Sequence, residues 1–211
     1  MDNFFNVANL VNLPAQVVTK SALSQARKQL SHTAFIDLNR QAVDAYYAAH
    51  PELKTWHGFR LCAIDGSQLR VPDEPDIVDA FGVNSGKENQ KDCPLALVSV
   101  YYDVLNRISI DSSINHTTAS ERNCAADHLN HAHANELSIL DRGYNAFWLY
   151  ALYQATGRYF CMRAKINQGL LYKQFTESGK AQAVITLEAN QRSVEQCLEK
   201  EACRCSLSDS V

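Results

Sequence analysis

Long apolar runs are missing from this 211-residue chain. The longest, residues 146–152, falls well short of the roughly 20 residues a membrane-spanning helix needs, so a membrane-spanning class is excluded. The first residues, Met1-Asp2-Asn3-Phe4-Phe5, put no basic segment ahead of an apolar one. No secretory signal is read there, and a cytoplasmic protein without a membrane partner is expected. Cys-x-x-Cys pairs are also missing. The seven cysteines (62, 93, 124, 161, 197, 203 and 205) are odd in number and scattered, which argues against a disulfide framework in a chain of this size and compartment. Cys62, Cys124 and Cys161 lie in apolar or helical patterns and are read as small buried hydrophobes.

An excess of positive charge is lacking too. Twenty Lys and Arg face 23 Asp and Glu, a formal net charge of −3. That counts mildly against nucleic acid as a partner, although a local basic face binds phosphates on an acidic protein. One stretch is locally basic: residues 19–40 hold Lys20, Arg27, Lys28 and Arg40 against a single acid, Asp37. It is read as a solvated helix face, with a DNA-facing element as the alternative. Repeats, low-complexity tracts and long linkers are absent. The 46% hydrophobic and 20% charged residues are enough for a packed core.

Apolar residues at spacings of three and four predict helices over residues 10–50, chiefly 21–30 and 33–49, and Pro51 ends the second. Trp56-His57-Gly58 is a turn. Residues 59–64 form a short, nearly continuous apolar run that reads as a buried strand ending at Asp65. Residues 71–92, rich in Pro, Asp, Asn, Gly and Lys, read as loop. Within them Lys87, Glu88, Asn89 and Lys91 are read as a solvated turn with the option of approaching DNA. Strands are predicted at 94–103 and 108–114 around a hairpin turn at 105–107.

A capping-box pattern, Thr118 to Glu121, starts a helix running to about residue 132. A strand at 136–140 ends at Asp141. A helix at 146–155, a strand at 159–163 and a strand at 182–187 follow. The order predicts a mixed sheet covered by helices.

Two acids occupy the same kind of place. Asp65 follows Leu61-Cys62-Ala63-Ile64, and Asp141 follows Leu137-Ser138-Ile139-Leu140. A carboxylate at the end of a buried strand is rigidly aimed, and neighbouring strand ends bring two such groups together. Their separation of 76 residues leaves room for the hairpin and a crossover helix. Converging acids repel unless a divalent cation lies between them, and Mg²⁺ suits oxygen ligands. The plainer explanation is a turn-forming Asp before Gly or Arg-Gly. His128, His131 and His133 do not make a convincing metal set, since His133 is off the face of the other two; they are read as a solvated helix end. Glu121 is read as a helix cap, with a supporting role beside the metals as the alternative. Arg142 and Tyr144 are read either as phosphate contacts or as local packing.

Four blocks carry a family resemblance: Ala63-Ile64-Asp65-Gly66-Ser67; Ser99 through Asn106 (Ser-Val-Tyr-Tyr-Asp-Val-Leu-Asn); Thr118-Ala119-Ser120-Glu121-Arg122; and Leu140-Asp141-Arg142-Gly143-Tyr144 followed by Phe147-Trp148. Together they resemble the DDE transposases of bacterial insertion sequences, insertion sequence family 4, over about residues 20–195. The resemblance implies an α/β, ribonuclease H-like mixed sheet with flanking helices, preceded by an N-terminal helical region. It implies DNA transposition by two-metal phosphodiester cleavage and strand transfer, with Asp65 and Asp141 as the first two catalytic, metal-binding acids and two Mg²⁺ or Mn²⁺ ions as cofactors. It also implies DNA as partner, both transposon ends and target, a homodimer with an intact transposase, and a bacterial cytoplasm. Lys20, Arg27, Lys28 and Arg142 are the expected DNA contacts.

The family's third acid, a Glu within Tyr-x-x-Arg-x-x-x-Glu-x-x-x-x-x-x-Lys, has no match in these residues. The expected division is therefore a helical region at 1–57, a partial catalytic core at 58–168, and at 169–211 the start of a β-rich insertion with an aberrant tail. The competing expectations are an inactive, truncated remnant that only binds DNA or pairs with a transposase, and a metal-dependent nuclease with a similar core.

Overall fold

A computed structural model describes residues 19–84, 93–166 and 169–208, with side chains described as far as residue 199. The chain divides into two compact units, residues 1–42 and 43–211. The first contains helix α1, Lys20–Gln29, and most of α2, Thr33–Ala49. The Thr19 hydroxyl accepts the Ala22 amide at 3.1 Å, satisfying one of the free donors at the start of α1. Arg27 and Lys28 lie in its last turn, where cations suit the helix dipole. These two helices match the sequence expectation; residues 10–18, also read as helix, lie outside the described residues.

The second unit takes in the end of α2 from Val43, which is buried. His57 and Gly58 adopt positive φ (49° and 84°) and reverse the chain between Trp56 and Phe59. There follow β1 (Arg60–Arg70), α3 (Pro75–Phe81), β2 (Val83–Asn84), β3 (Cys93–Asp103), β4 (Ile108–His116) and α4 (Glu121–His128), which ends in a 3-10 turn. Then come β5 (Glu136–Leu140), α5 (Phe147–Ala155), β6 (Tyr159–Met162), α6 (Leu170–Glu177) and α7 (Gln191–Ser208). The sheet order is β2-β3-β1-β5-β6, with β4 also paired to β3. The ladders β1–β3 and β3–β4 are antiparallel, while β1–β5 and β5–β6 are parallel. This is the ribonuclease H-like mixed sheet with flanking helices that the resemblance implied.

The core lies between the sheet and helices α4 and α5. Cys62, Ile64, Tyr101, Ile110 and Leu140 from the strands meet Ala125, Ala126, Trp148, Leu149 and Tyr153 from the helices. Alternation sets this pattern: Cys62 and Ile64 are buried, and Leu61, Ala63 and Asp65 are less so. Cys62 behaves as expected, for burial, reinforced by nearby Glu136 and Asp103, pushes its thiol up to about 12 and keeps it unreactive.

Several expectations need correction. Strand β1 does not stop at Asp65. Pairing with β5 ends at Ala63↔Ile139, but β3 continues to pair with β1 as far as Arg70↔Leu95 and keeps it extended. Residues 71–92 are not all loop, since Pro75 opens α3, where its missing N–H costs no hydrogen bond; the stretch with Lys87, Glu88, Asn89 and Lys91 lies outside the described residues. Residues 182–187 are not a strand. No described strand pairs with them, and Val184 is fully exposed. Between residues 170 and 208 the described structure is helix at Leu170–Glu177 (α6) and Gln191–Ser208 (α7), with irregular chain between them and no described strand. Cys161 is exposed, because β6 is a short edge strand whose alternate side chains face outward.

His128 is also a correction. It is buried rather than solvated, with only 1% of its surface exposed. One ring nitrogen meets Ser99 Oγ at 2.9 Å and the other meets Asp111 Oδ2 at 2.7 Å, so α4 is bolted to β3 and β4.

Candidate active site

The parallel pairing of β1 with β5 runs from Arg60↔Glu136 to Ala63↔Ile139. The same register carried two residues further, past the end of β5, would bring Asp65 level with Asp141. The sequence separation of the two acids is therefore the register of the ladder, and neighbouring strands lie only about 4.8 Å apart. Both acids are exposed. Each takes a backbone N–H on Oδ1: Gly66 N–H donates to Asp65 at 3.0 Å, and Gly143 N–H donates to Asp141 at 2.6 Å.

Both glycines make room for a carboxylate. A Cβ at Gly143 would lie 2.9 Å from Asp141 Oδ1. A Cβ at Gly66 would lie 2.9 Å from Cγ and Cδ of Glu121 and 3.0 Å from its Oε1. Glu121 therefore does not cap its helix. Ser120 holds the N-cap position, no side-chain cap bond forms, and the Glu121 side chain extends across to the strand instead. Partial burial, and then the charges of Asp65 and Asp141, push its carboxyl above the ordinary range, opposed by Arg122. Three carboxylates from β1, the end of β5 and the start of α4 thus share one field.

Arg122 donates Nε–H to the Gly143 carbonyl at 2.9 Å, tying the start of α4 to the turn after Asp141. Tyr144 is wholly buried, so it packs and makes no surface phosphate contact. Its hydroxyl has no hydrogen-bond partner among the described residues. Burial raises its pKa first, and the charges of Glu121, Asp65 and Asp141 raise it further, which places this phenol beside the acids. Arg142 is exposed on the same turn. Lys20, Arg27 and Lys28 belong to the other compact unit, all exposed on α1.

The donor set suits a hard, oxygen-seeking cation, since it is all carboxylate with neither thiol nor imidazole. The two glycines leave space beside the acids that a side chain would fill. Among the described residues no three His, Cys, Asp or Glu groups already stand at ion-holding distances. The sequence reading took Glu121 first as a helix cap, because its block fits a capping box, and kept a place beside the metals only as the alternative; the structure sets its side chain against Gly66.

No family model matches the chain. Among curated proteins it is similar to "Transposase InsG for insertion sequence element IS4" of Escherichia coli (strain K12), 23% identical over 173 residues, covering 82% of this chain and 39% of that protein. It is also similar to "Putative transposase InsZ" of the same strain, 32% identical over 80 residues, covering 37% of this chain and 27% of the relative. The chain thus spans well under half the length of either. A solved structure, "Mos1 transposase paired-end complex with left transposon end", overlays 94% of this chain and 62% of its own at a TM-score of 0.34 and 10% identity, a loose likeness. Among the described residues no helix is long and apolar enough to cross a membrane. The curated comparisons agree with the resemblance read from the sequence: the chain is similar to insertion-sequence transposases of the IS4 kind.

Proposed function

We propose that this chain carries the first two acids of a DDE transposase core, working in DNA transposition by cleavage and strand transfer of phosphodiesters. The observation that supports the proposal is the β1–β5 register, whose last pair, Ala63↔Ile139, lies two residues before both Asp65 and Asp141, with glycines beside the acids that leave room for carboxylates. The names of the two curated relatives, both transposases, support it.

Asp65 and Asp141 would hold Mg²⁺ or Mn²⁺, two ions in the complete site. Such ions activate the attacking water or 3′-hydroxyl and stabilise the leaving oxygen. The chain's own contribution is rigidity. Each acid has one oxygen, Oδ1, held by a backbone N–H, and of the parallel β1–β5 pair Asp65 lies on β1 and Asp141 follows β5. DNA is the proposed substrate and partner, with Lys20, Arg27, Lys28 and Arg142 as candidate phosphate contacts and an intact transposase as candidate homodimer mate. A second reading, in which these residues only bind DNA or pair with a transposase, is supported by one observation: no Tyr-x-x-Arg-x-x-x-Glu signature occurs within them.

The test is Mn²⁺ binding by calorimetry to the full 211-residue chain. Asp65→Asn and Asp141→Asn should each weaken binding about tenfold or more, since each removes a charged ligand. Binding that ignores both substitutions overturns the reading.

A further inference from the structure

We propose that Glu121 is a third carboxylate of the cation site, reaching from the first turn of α4 over Gly66 to share an ion with Asp65 and Asp141. The inference rests on the reading that those two aspartates bind a divalent cation.

Four observations carry it. First, the Glu121 carboxylate lies against Gly66, the residue after Asp65, so closely that even a methyl group there would displace it. Second, Glu121 is not occupied as a cap, and it has no ion pair among the described residues. Third, Arg122 holds the start of α4 to the Gly143 carbonyl, so the helix end and the Asp141 turn are one assembly and not two loops that happen to meet. Fourth, the Tyr144 hydroxyl is buried beside the three acids and lacks a hydrogen-bond partner among the described residues. A buried hydroxyl left unpaired is costly, and proteins keep such groups where a ligand completes the pairing. Among the described residues no three such groups are already arranged to hold an ion, so the acids must draw together on binding. The chemistry selected is a hard divalent cation with oxygen ligands, Mg²⁺ or Mn²⁺.

The experiment adds Glu121→Gln to the same Mn²⁺ titration, beside Asp65→Asn and a control, Glu177→Gln, on the exposed face of α6. Glu121→Gln is expected to weaken Mn²⁺ binding at least tenfold while Glu177→Gln leaves it unchanged. In the unmutated chain the side-chain carboxyl ¹³C resonance of Glu121 should shift on adding Mg²⁺ together with those of Asp65 and Asp141, a measurement that needs no substituted chain to fold. If Asp65→Asn abolishes binding while Glu121→Gln does not, and the Glu121 resonance stays still, this inference is wrong and the two-aspartate reading stands. If the wild-type chain binds no Mn²⁺, or Asp65→Asn has no effect, both are wrong.

Discussion

The Cα of Gly66 faces the side chain of Glu121 so closely that an added methyl group would sit 2.9 Å from Glu121 Cδ. The atoms in the way are the far end of a flexible side chain, so the fold has an easy response, which is to move Glu121 aside. Gly66→Ala should therefore cost little stability, less than about 1 kcal/mol, in line with substitutions that disturb no core packing. It should still weaken Mn²⁺ binding several-fold by displacing one carboxylate. Paired thermal melts and Mn²⁺ titrations check this; a large loss of stability would mean that Glu121 is rigidly held for structural reasons.

The buried Ser99–His128–Asp111 chain makes a separate prediction about the fold. His128→Ala would remove a buried ring and orphan two polar groups, and about 3 kcal/mol of lost stability is expected from the cavity and the unpaired partners together. Chemical denaturation measures it directly, and a loss below about 1 kcal/mol would show that the network is incidental.

Asp111 adds a pH dependence. Burial alone pushes its carboxyl up, but the hydrogen bond from His128 and the charges of His128 and His131 outweigh that and hold it below the ordinary range. A carboxyl depressed in the folded state stabilises the protein fully above its unfolded pKa, about 3.9. That contribution is lost as pH falls through the lower, folded value. The stability gap between wild type and Asp111→Asn should thus be wide at pH 6 and narrow below about pH 4. A gap independent of pH would remove the charged hydrogen bond from the account.

Lys20, Arg27 and Lys28 are exposed on α1, two of them in the last turn where the helix dipole alone explains cations. If they contact DNA phosphates, affinity of the full chain must fall steeply with salt. Replacing all three by Ala should reduce the slope of log K against log salt by up to about 2.7, from roughly 0.9 for each lost phosphate contact. Equal slopes for wild type and triple variant would leave the helix-dipole explanation alone.

The 211-residue chain is expected to bind a divalent ion without cleaving DNA. A two-metal reaction needs further carboxylate oxygens to fix both ions, and the family's helix glutamate signature does not occur in this sequence. Each 1.4 kcal/mol of transition-state stabilisation lost is about tenfold in rate, so activity on a DNA carrying the element's own ends should be undetectable with Mg²⁺ or Mn²⁺. Cleavage that vanishes in Asp65→Ala would show that residues present here, Glu121 foremost, complete the site.

Much of this was legible in the residues. Periodic apolar spacing marked α1, α2 and α5, and alternation with a short polar turn marked the β3–β4 hairpin, because those signals report burial within a single element. The acids at 65 and 141 stood out for the same reason, each following four mostly apolar residues. Their separation of 76 residues equals the β1–β5 register, Arg60↔Glu136. Tertiary structure alone decided the rest. Strand β1 runs past Asp65 because β3 supplies a partner there, and residues 182–187 stay irregular because no described strand does. His128 is buried because α4 lies over Ser99 and Asp111, which no local pattern around a cluster of histidines announces. Glu121 reads as a cap when only its neighbours in sequence are considered, since Thr118 is three residues away. Folding sets it against Gly66 instead, and hydrogen-bond partners brought together by sheet register and helix packing decide which role a carboxylate takes.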